Sequence, residues 1–201
     1  MGRHKTISDE DILAAARQVF LEKSHAASTR EIAAVAGVSE AILYQRFKSK
    51  DALFFAAMLG SGPDLLELLG PADPPADAHA YVWGVVERMV EYFAGSVPAW
   101  TQVMMHPSFE PTMVANSEVM TAVQDLTHEF AERLRKLHAH KRITATVFPA
   151  AAGVLTSLAH DWALHATLLG RGAHLDRKHL RAMVDVVWQG LAPAPPRRES
   201  R

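Results

Sequence analysis

Ser28 to Leu53, STREIAAVAGVSEAILYQRFKSKDAL, is the stretch whose reading decides the fold. Ser28 followed three residues later by Glu31 is a capping box, in which each side chain satisfies the other residue's orphan backbone donor at a helix start. Ile32, Ala33 and Ala36 then form a narrow apolar stripe, and its small members let a second helix come close. Gly37 ends the helix, because glycine enters the left-handed conformation of a helix terminus at least cost. Ser39 can cap the next helix, in which Leu43 and Phe47, four apart, share the buried face. At roughly 100° per residue, Ala41, Tyr44 and Gln45 point away from that face, with Ile42 and Arg46 on its flanks. Ser49 opens a third helix. Lys50 follows at the positive end of its dipole, where a cation is disfavoured unless an anion is near.

Two short helices about a three-residue turn, the second with a polar outer face, is the arrangement that sets a recognition helix in the major groove of DNA. A DNA phosphate would reconcile Lys50 with its position, since a helix N-terminus and a lysine attract the same oxygen; the alternative is a solvated surface lysine. The stretch resembles the DNA-binding domain of the TetR family of bacterial transcriptional regulators. Thr29, Ile32, Ala33, the run Ala36-Gly37-Val38-Ser39, Leu43-Tyr44, Phe47, Lys50 and Leu53 all fall where that family's pattern has them. The resemblance implies that Thr29, Tyr44 and Lys50 hold phosphates, contacts that orient a protein without carrying sequence information. It implies base reading from Arg30, Glu40, Ala41, Ile42, Gln45 and Arg46. Their chemistry allows it: Arg can bridge guanine, Gln adenine, Glu can accept from cytosine, and Ala or Ile can meet a thymine methyl. Glu40, Ala41 and Ile42 stand where many relatives have Lys or Arg, then Gly or Pro, then Thr, so the operator cannot be copied from a relative. Ile42 either faces a base or packs inward.

Upstream, Ser8 and Asp11 cap a first helix whose Ile12, Leu13, Ala16, Val19 and Phe20 face the other two. Arg3 and Lys5 form a short arm that either touches DNA or is disordered. Met1-Gly2-Arg3-His4-Lys5-Thr6 fits a myristoylation pattern formally, but the modification is not expected in a bacterial setting. The basic residues run straight into Ser8-Asp9-Glu10-Asp11 with no apolar region, so no signal peptide is expected either.

The 201 residues suffice to bury a core in one domain or two small ones, and 49% hydrophobic with 21% charged residues argues a globular chain. There is no cysteine, which excludes disulfides and thiolate chemistry and suits a reducing cytosol. No stretch approaches the roughly 18 apolar residues of a membrane span. The net charge of -1 hides an asymmetry: residues 1–50 hold eight Lys and Arg against six acids, leaving 13 bases and 16 acids for the rest. Affinity for DNA would then come from a few placed contacts in a dimer, not from a strong general field.

Four prolines and three glycines between 60 and 78 mark a boundary. The expected organisation is all-α: a helix-turn-helix DNA-binding domain at 1–60, a helical ligand-binding and dimerisation domain at 61–192, and a disordered tail at 193–201. Beyond the boundary a helix is expected from about Asp77 to Gly95, with Val82, Val85, Val86, Met89 and Phe93 inward. A short one follows from Pro98 through Met105, then a loop bounded by Pro107 and Pro111. A long helix carries Met120, Val123, Thr127, Phe130, Leu134 and Leu137 on one stripe. The helix at Thr146 to Leu169 is apolar on nearly all sides, with Val154, Leu155, Leu158, Trp162 and Leu169 on one face and Ala152, Ala159, Ala163 and Ala166 on another; such a helix needs partners on two sides. In the last helix, capped by Asp176, Leu180, Met183, Val184, Val187, Trp188 and Leu191 recur at helical spacing.

The resemblance implies that the last two helices pair with their copies as a four-helix homodimer interface, which suits a palindromic operator; an ordinary intramolecular core is the other reading. It also implies a ligand pocket in the middle helices. Met89, Phe93, Trp100, Met104, Met105, Met120 and Trp162 are the large, soft side chains that would line one or else form core. Few charges fall on the inward stripes, so a small, largely apolar effector of unknown identity is expected. Among the 11 histidines, His138 and His140 diverge on a helix, as do His160 and His165. Asp161 with His165 is too small a set for a metal. With no cysteine, nucleotide-binding glycine loop or GxSxG elbow, no enzyme and no cofactor is expected. These readings converge on a cytoplasmic, homodimeric, ligand-responsive repressor of transcription acting on double-stranded DNA, with no membrane. The alternative is a helical ligand-binding or interaction module that keeps the motif without using it.

Overall fold

The computed structural model describes residues 7–144, 146–168 and 176–191. Among them are ten α-helices and no strand: α1 (Asp9–Lys23), α2 (Thr29–Ala36), α3 (Glu40–Phe47), α4 (Lys50–Leu59), α5 (Leu65–Leu69), α6 (Ala78–Met104), α7 (Pro111–Ala115), α8 (Glu118–Ala139), α9 (Phe148–Leu168) and α10 (Arg177–Leu191). They divide into two compact units. The first runs to Gly62 and includes Pro98–Met120; the second takes Pro63–Val97 and the chain from Thr121. The expected arm at Arg3 and Lys5, the helix end at Leu169 and the tail at 193–201 lie outside the described residues.

In the first unit the starts of α1 to α4 are each written in a side chain. Ser8 Oγ accepts from the Asp11 N–H at 3.1 Å while the Asp11 carboxylate accepts from the Ser8 N–H at 3.3 Å, and Ser28 with Glu31 repeats the box on α2. Ser39 and Ser49 cap α3 and α4, and Gly37 closes α2 at φ 70°. These caps aim the apolar stripes at one core: Ile12, Phe20, Ile32, Leu43, Leu53 and Phe54 are all essentially sealed from solvent. Phe20 meets Phe54 edge to face at 5.0 Å. Arg17 donates to the carbonyls of Ala57 and Met58 at 3.1 and 2.9 Å, satisfying the electronegative end of α4 with a cation.

Residues of the middle segment join this core through Ala99 and Val103. His106 stacks on Phe54 at 4.4 Å and edges Phe55 at 4.9 Å. Its Nδ1 accepts from the Ser108 N–H, and Ser108 Oγ donates to Asp51 at 2.7 Å. The loop is thereby tied to the first turn of α4.

The Lys23 ammonium, together with the Ser28 N–H and hydroxyl, holds the Glu31 carboxyl down at about 2. A depressed carboxyl stabilises the fold above its ordinary value, near 4.5, and that contribution is lost as pH falls toward 2. Glu31→Gln should therefore flatten the acid limb of the unit's stability-versus-pH curve, read by circular dichroism; an unchanged limb would refute the coupling.

Two expectations need correction. Pro98 does not break the chain into two helices: α6 is continuous through it, because the buried Ala99 and Val103 offset the missing backbone donor. With Ala99 and Val103 inward, Met104 and Met105 fall on the outside, 63% and 78% exposed. The 60–78 region is not free of helix. Asp64 caps α5 through the N–H groups of Leu66 and Glu67, and Leu68 and Leu69 are buried. The loop between Pro107 and Pro111 ends in α7, which starts on Pro111, as suits a residue with no donor to lose.

The second unit is built on α5, the Ala78–Val97 part of α6, and α8 to α10. Val82, Val85, Val86, Met89 and Phe93 point inward as their spacing requires. On α8 the buried line is Leu126, Phe130, Leu134 and Leu137, with Val123 and Thr127 only half-buried beside it. On α9 and α10, Leu155, Ala159, Trp162, Leu180 and Val184 are core. Val154 and Met183, which lie among the apolar positions of these helices, are not buried within the unit: Val154 is 53% exposed, and Met183 is exposed with Val186 at 69%. Both helices thus carry a second apolar face. No helix among the described residues is long and apolar enough to cross a membrane.

Candidate nucleic-acid interface

The outer side of α2 and α3 gathers the side chains singled out above. Thr29, the first residue of α2, donates its hydroxyl to Glu40, the first residue of α3, at 2.7 Å, and Tyr44 OH lies 3.4 Å from the same Thr29 oxygen. Thr29, Glu40 and Tyr44 form one polar cluster at the mouth of the motif. Tyr44 is 47% exposed, and Arg30, Ala41 and Gln45 are exposed around it. Ile42 is half-buried and packs on the core.

Two cations behave differently from their solvated image. Arg46 donates to the Ile7 carbonyl at 2.9 Å and to the Asp9 carboxylate at 2.7 Å, so its guanidinium clasps the start of α1. Lys50 donates to the His25 carbonyl at 2.5 Å, which supplies the electronegative partner that its place at a helix start calls for. Between α3 and α4 the chain turns tightly. Lys48 sits at φ 62° and ψ -41°, and the Ser49 N–H closes onto the Phe47 carbonyl at 2.7 Å, the strained three-residue turn of positive φ.

A short capped helix, a glycine-centred turn and a second helix with its polar side turned outward define the helix-turn-helix class. Residues 12–57 match the model of the family described as bacterial regulatory proteins, tetR family, a match that covers the helix-turn-helix segment. The fold extends the likeness over nearly the whole chain. A protein of Mesorhizobium loti assigned to the TetR-family transcriptional regulators superposes with a TM-score of 0.76 at 18% identity, covering 92% of this chain and 96% of its own. Salmonella enterica GusR gives 0.63 at 21%, covering 90% and 94%. The flavonoid-responsive regulator FrrA gives 0.64 at 22%, covering 92% and 97%. Comparison with curated proteins found no match.

The seven residues expected to line a pocket are not gathered into one. Met89, Phe93 and Trp162 are core of the second unit, where Phe93 meets His160 edge-on at 5.2 Å and Trp162 stacks on His179 at 5.9 Å. Met104 and Met105 face solvent, while Trp100 and Met120 are half-buried. A groove that the sequence reading missed opens beside α8 and the start of α9. Its volume is about 430 Å³, with apolar Val123, Ala131 and Pro149 and polar Gln124, His128 and Arg135 in its walls. All of its lining but Pro149 comes from α8 and mixes polar with apolar side chains, so the apolar stripe alone did not mark it. Among the described residues no group of three or more metal-ligating side chains comes together.

The Glu40 carboxylate lies beside Thr29 and Tyr44, the two side chains given to phosphate. An exposed charge of the wrong sign costs a few tenths to about 1 kcal/mol and is weakened by salt. Glu40→Gln keeps an acceptor for the Thr29 hydroxyl and removes the charge. Duplex affinity should rise about two- to fivefold at low salt, the gain shrinking as salt is added; fluorescence anisotropy at two ionic strengths reads this, and equal or weaker binding would contradict it.

Proposed function

We propose that the chain is a DNA-binding transcriptional regulator, a homodimer that represses by occupying a palindromic operator and leaves it when a small, largely apolar effector binds. The observation that carries this reading is the outer surface of α3. An eight-residue helix spends its inner face on Leu43 and turns Ala41, Tyr44 and Gln45 outward, with the Thr29 hydroxyl at its edge and Lys50 opening the next helix. In this reading residues 1–60 are the DNA-binding domain, 61–192 the effector-binding and dimerisation domain, and the protein works in the cytoplasm. One α3 from each subunit enters successive major grooves, roughly 34–36 Å apart. An effector that prefers another helix arrangement changes that separation, and it releases DNA only by as much as it prefers the non-binding state.

The second apolar face on α9 and α10 supports the dimer. Val154, Leu168, Met183 and Val186 are all exposed on these two helices, and exposed apolar groups on paired helices suit an interaction surface. A fold neighbour named as flavonoid-responsive supports response to a small molecule.

Selection of bound sites from random duplexes tests the central claim; if nothing is retained above background at low salt, the proposal fails and the helical module without DNA binding takes its place. Val154→Arg with Val186→Arg tests the dimer. Sedimentation should shift from dimer to monomer, and affinity for a selected palindrome should fall at least about tenfold through loss of the linked half-site. A dimer that survives both charges would place the interface elsewhere.

A further inference from the structure

Six side chains of the motif could read bases, and the structure leaves them unequally free. Arg46 is held by Ile7 and Asp9. Glu40 is held by the Thr29 hydroxyl, and Ile42 lies against the core. Arg30 is exposed but sits at the second position of α2, off the reading helix. On α3 itself, Ala41 and Gln45 remain, exposed and four residues apart. Among the described residues the Gln45 amide has no side-chain hydrogen bond, whereas both charged residues of α3 do.

We infer that Gln45 is the principal specificity-determining residue of this protein, and that its half-site presents an adenine to Gln45 and a thymine methyl to Ala41. The inference rests on the proposed DNA-binding function and names the sequence class that function selects. The chemistry follows from the two groups. A carboxamide carries one donor and one acceptor side by side, which matches N7 and N6 of adenine and neither edge of guanine nor cytosine. Alanine offers a methyl, and the thymine methyl is the apolar group of the major groove. Residues four apart on a helix are separated by about 6 Å along its axis, so the two bases fall within about two base pairs of each other. An arginine already committed to an ion pair must give up that pair before it can bridge a guanine, while an unengaged amide gives up only water. Readout by α3 is therefore weighted to A·T pairs.

The test is selection from random duplexes with the full-length wild type and with Gln45→Ala. The wild type should return a half-site with one strongly preferred A·T pair, and Gln45→Ala should keep the flanking preferences while losing that one, with affinity down roughly tenfold to hundredfold. Replacing the adenine of that pair with 7-deazaadenine removes its N7 acceptor without altering pairing. It should weaken the wild type and leave Gln45→Ala unaffected, a pattern that a merely structural glutamine would not give. Arg46→Ala should return the wild-type half-site. If Gln45→Ala selects the wild-type sequence, or if Arg46→Ala erases a guanine preference, the inference is overturned while DNA binding stands. Retention of no duplex by the wild type would overturn both.

Discussion

Replacing Tyr44 and Lys50 together with alanine should remove binding to matched and unmatched duplexes alike, by roughly a hundredfold or more. Tyr44 turns its hydroxyl outward from α3 beside Thr29, and Lys50 opens α4. Phosphate oxygens reaching the two would take a charge-assisted hydrogen bond from Lys50 and a second bond from tyrosine, the former worth about 1.5–3 kcal/mol. A two-fold protein would lose each contact twice. Because phosphates carry no sequence, the loss must be uniform, and the slope of log affinity against log salt should shrink by about one per lysine removed. Fluorescence anisotropy with an operator duplex and a scrambled one, each over a salt series, provides the check. A loss confined to the operator would reassign these residues to base reading. Lys50 also gives up its bond to the His25 carbonyl, and a neutral or near-neutral melting temperature would separate that small structural cost from the loss of DNA.

Phe54→Ala should have the largest effect on stability, about 3–5 kcal/mol. Its ring is 1% exposed and touches Phe20 and Phe55 edge-on while lying flat on His106. No neighbour can collapse into the space without leaving its own partner. Domains have only about 5–15 kcal/mol in total, so chemical denaturation should show an early transition carrying the helices of the first unit. DNA binding would be lost with helical signal, unlike the Tyr44 and Lys50 variant, which keeps it. A cost below about 1 kcal/mol would mean that the ring is not packed as described.

What could be read from sequence was whatever is decided within four residues. Ser8 with Asp11, Ser28 with Glu31, Gly37, Ser39 and Ser49 each act on their own turn, so the starts of α1 to α4 and the end of α2 were legible. The same logic was available for α5, where Asp64 stands three residues before Glu67, but the prolines and glycines around it masked the signal. Pro98 misled for the opposite reason: its local preference for ending a helix was outweighed by burial of Ala99 and Val103. The site divides the same way. That Ala41, Tyr44 and Gln45 face outward follows from helical period alone. The occupation of Arg46 by Asp9, 37 residues away, and of Glu40 by Thr29, 11 away, depends on how helices cross and left no trace in local spacing. Met104 and Met105 were misplaced because the phase of α6 beyond Pro98 is set by the core that it meets.

The turn at Lys48 has a mechanical meaning. Two residues lie between α3 and α4, and the ring closed by the Ser49 N–H on the Phe47 carbonyl leaves no slack in them. The two helices are joined as a crank is to its shaft. A tilt imposed on the long arm is expected to reach the short one, so in the proposed regulator a rotation of α4 would turn α3 with it.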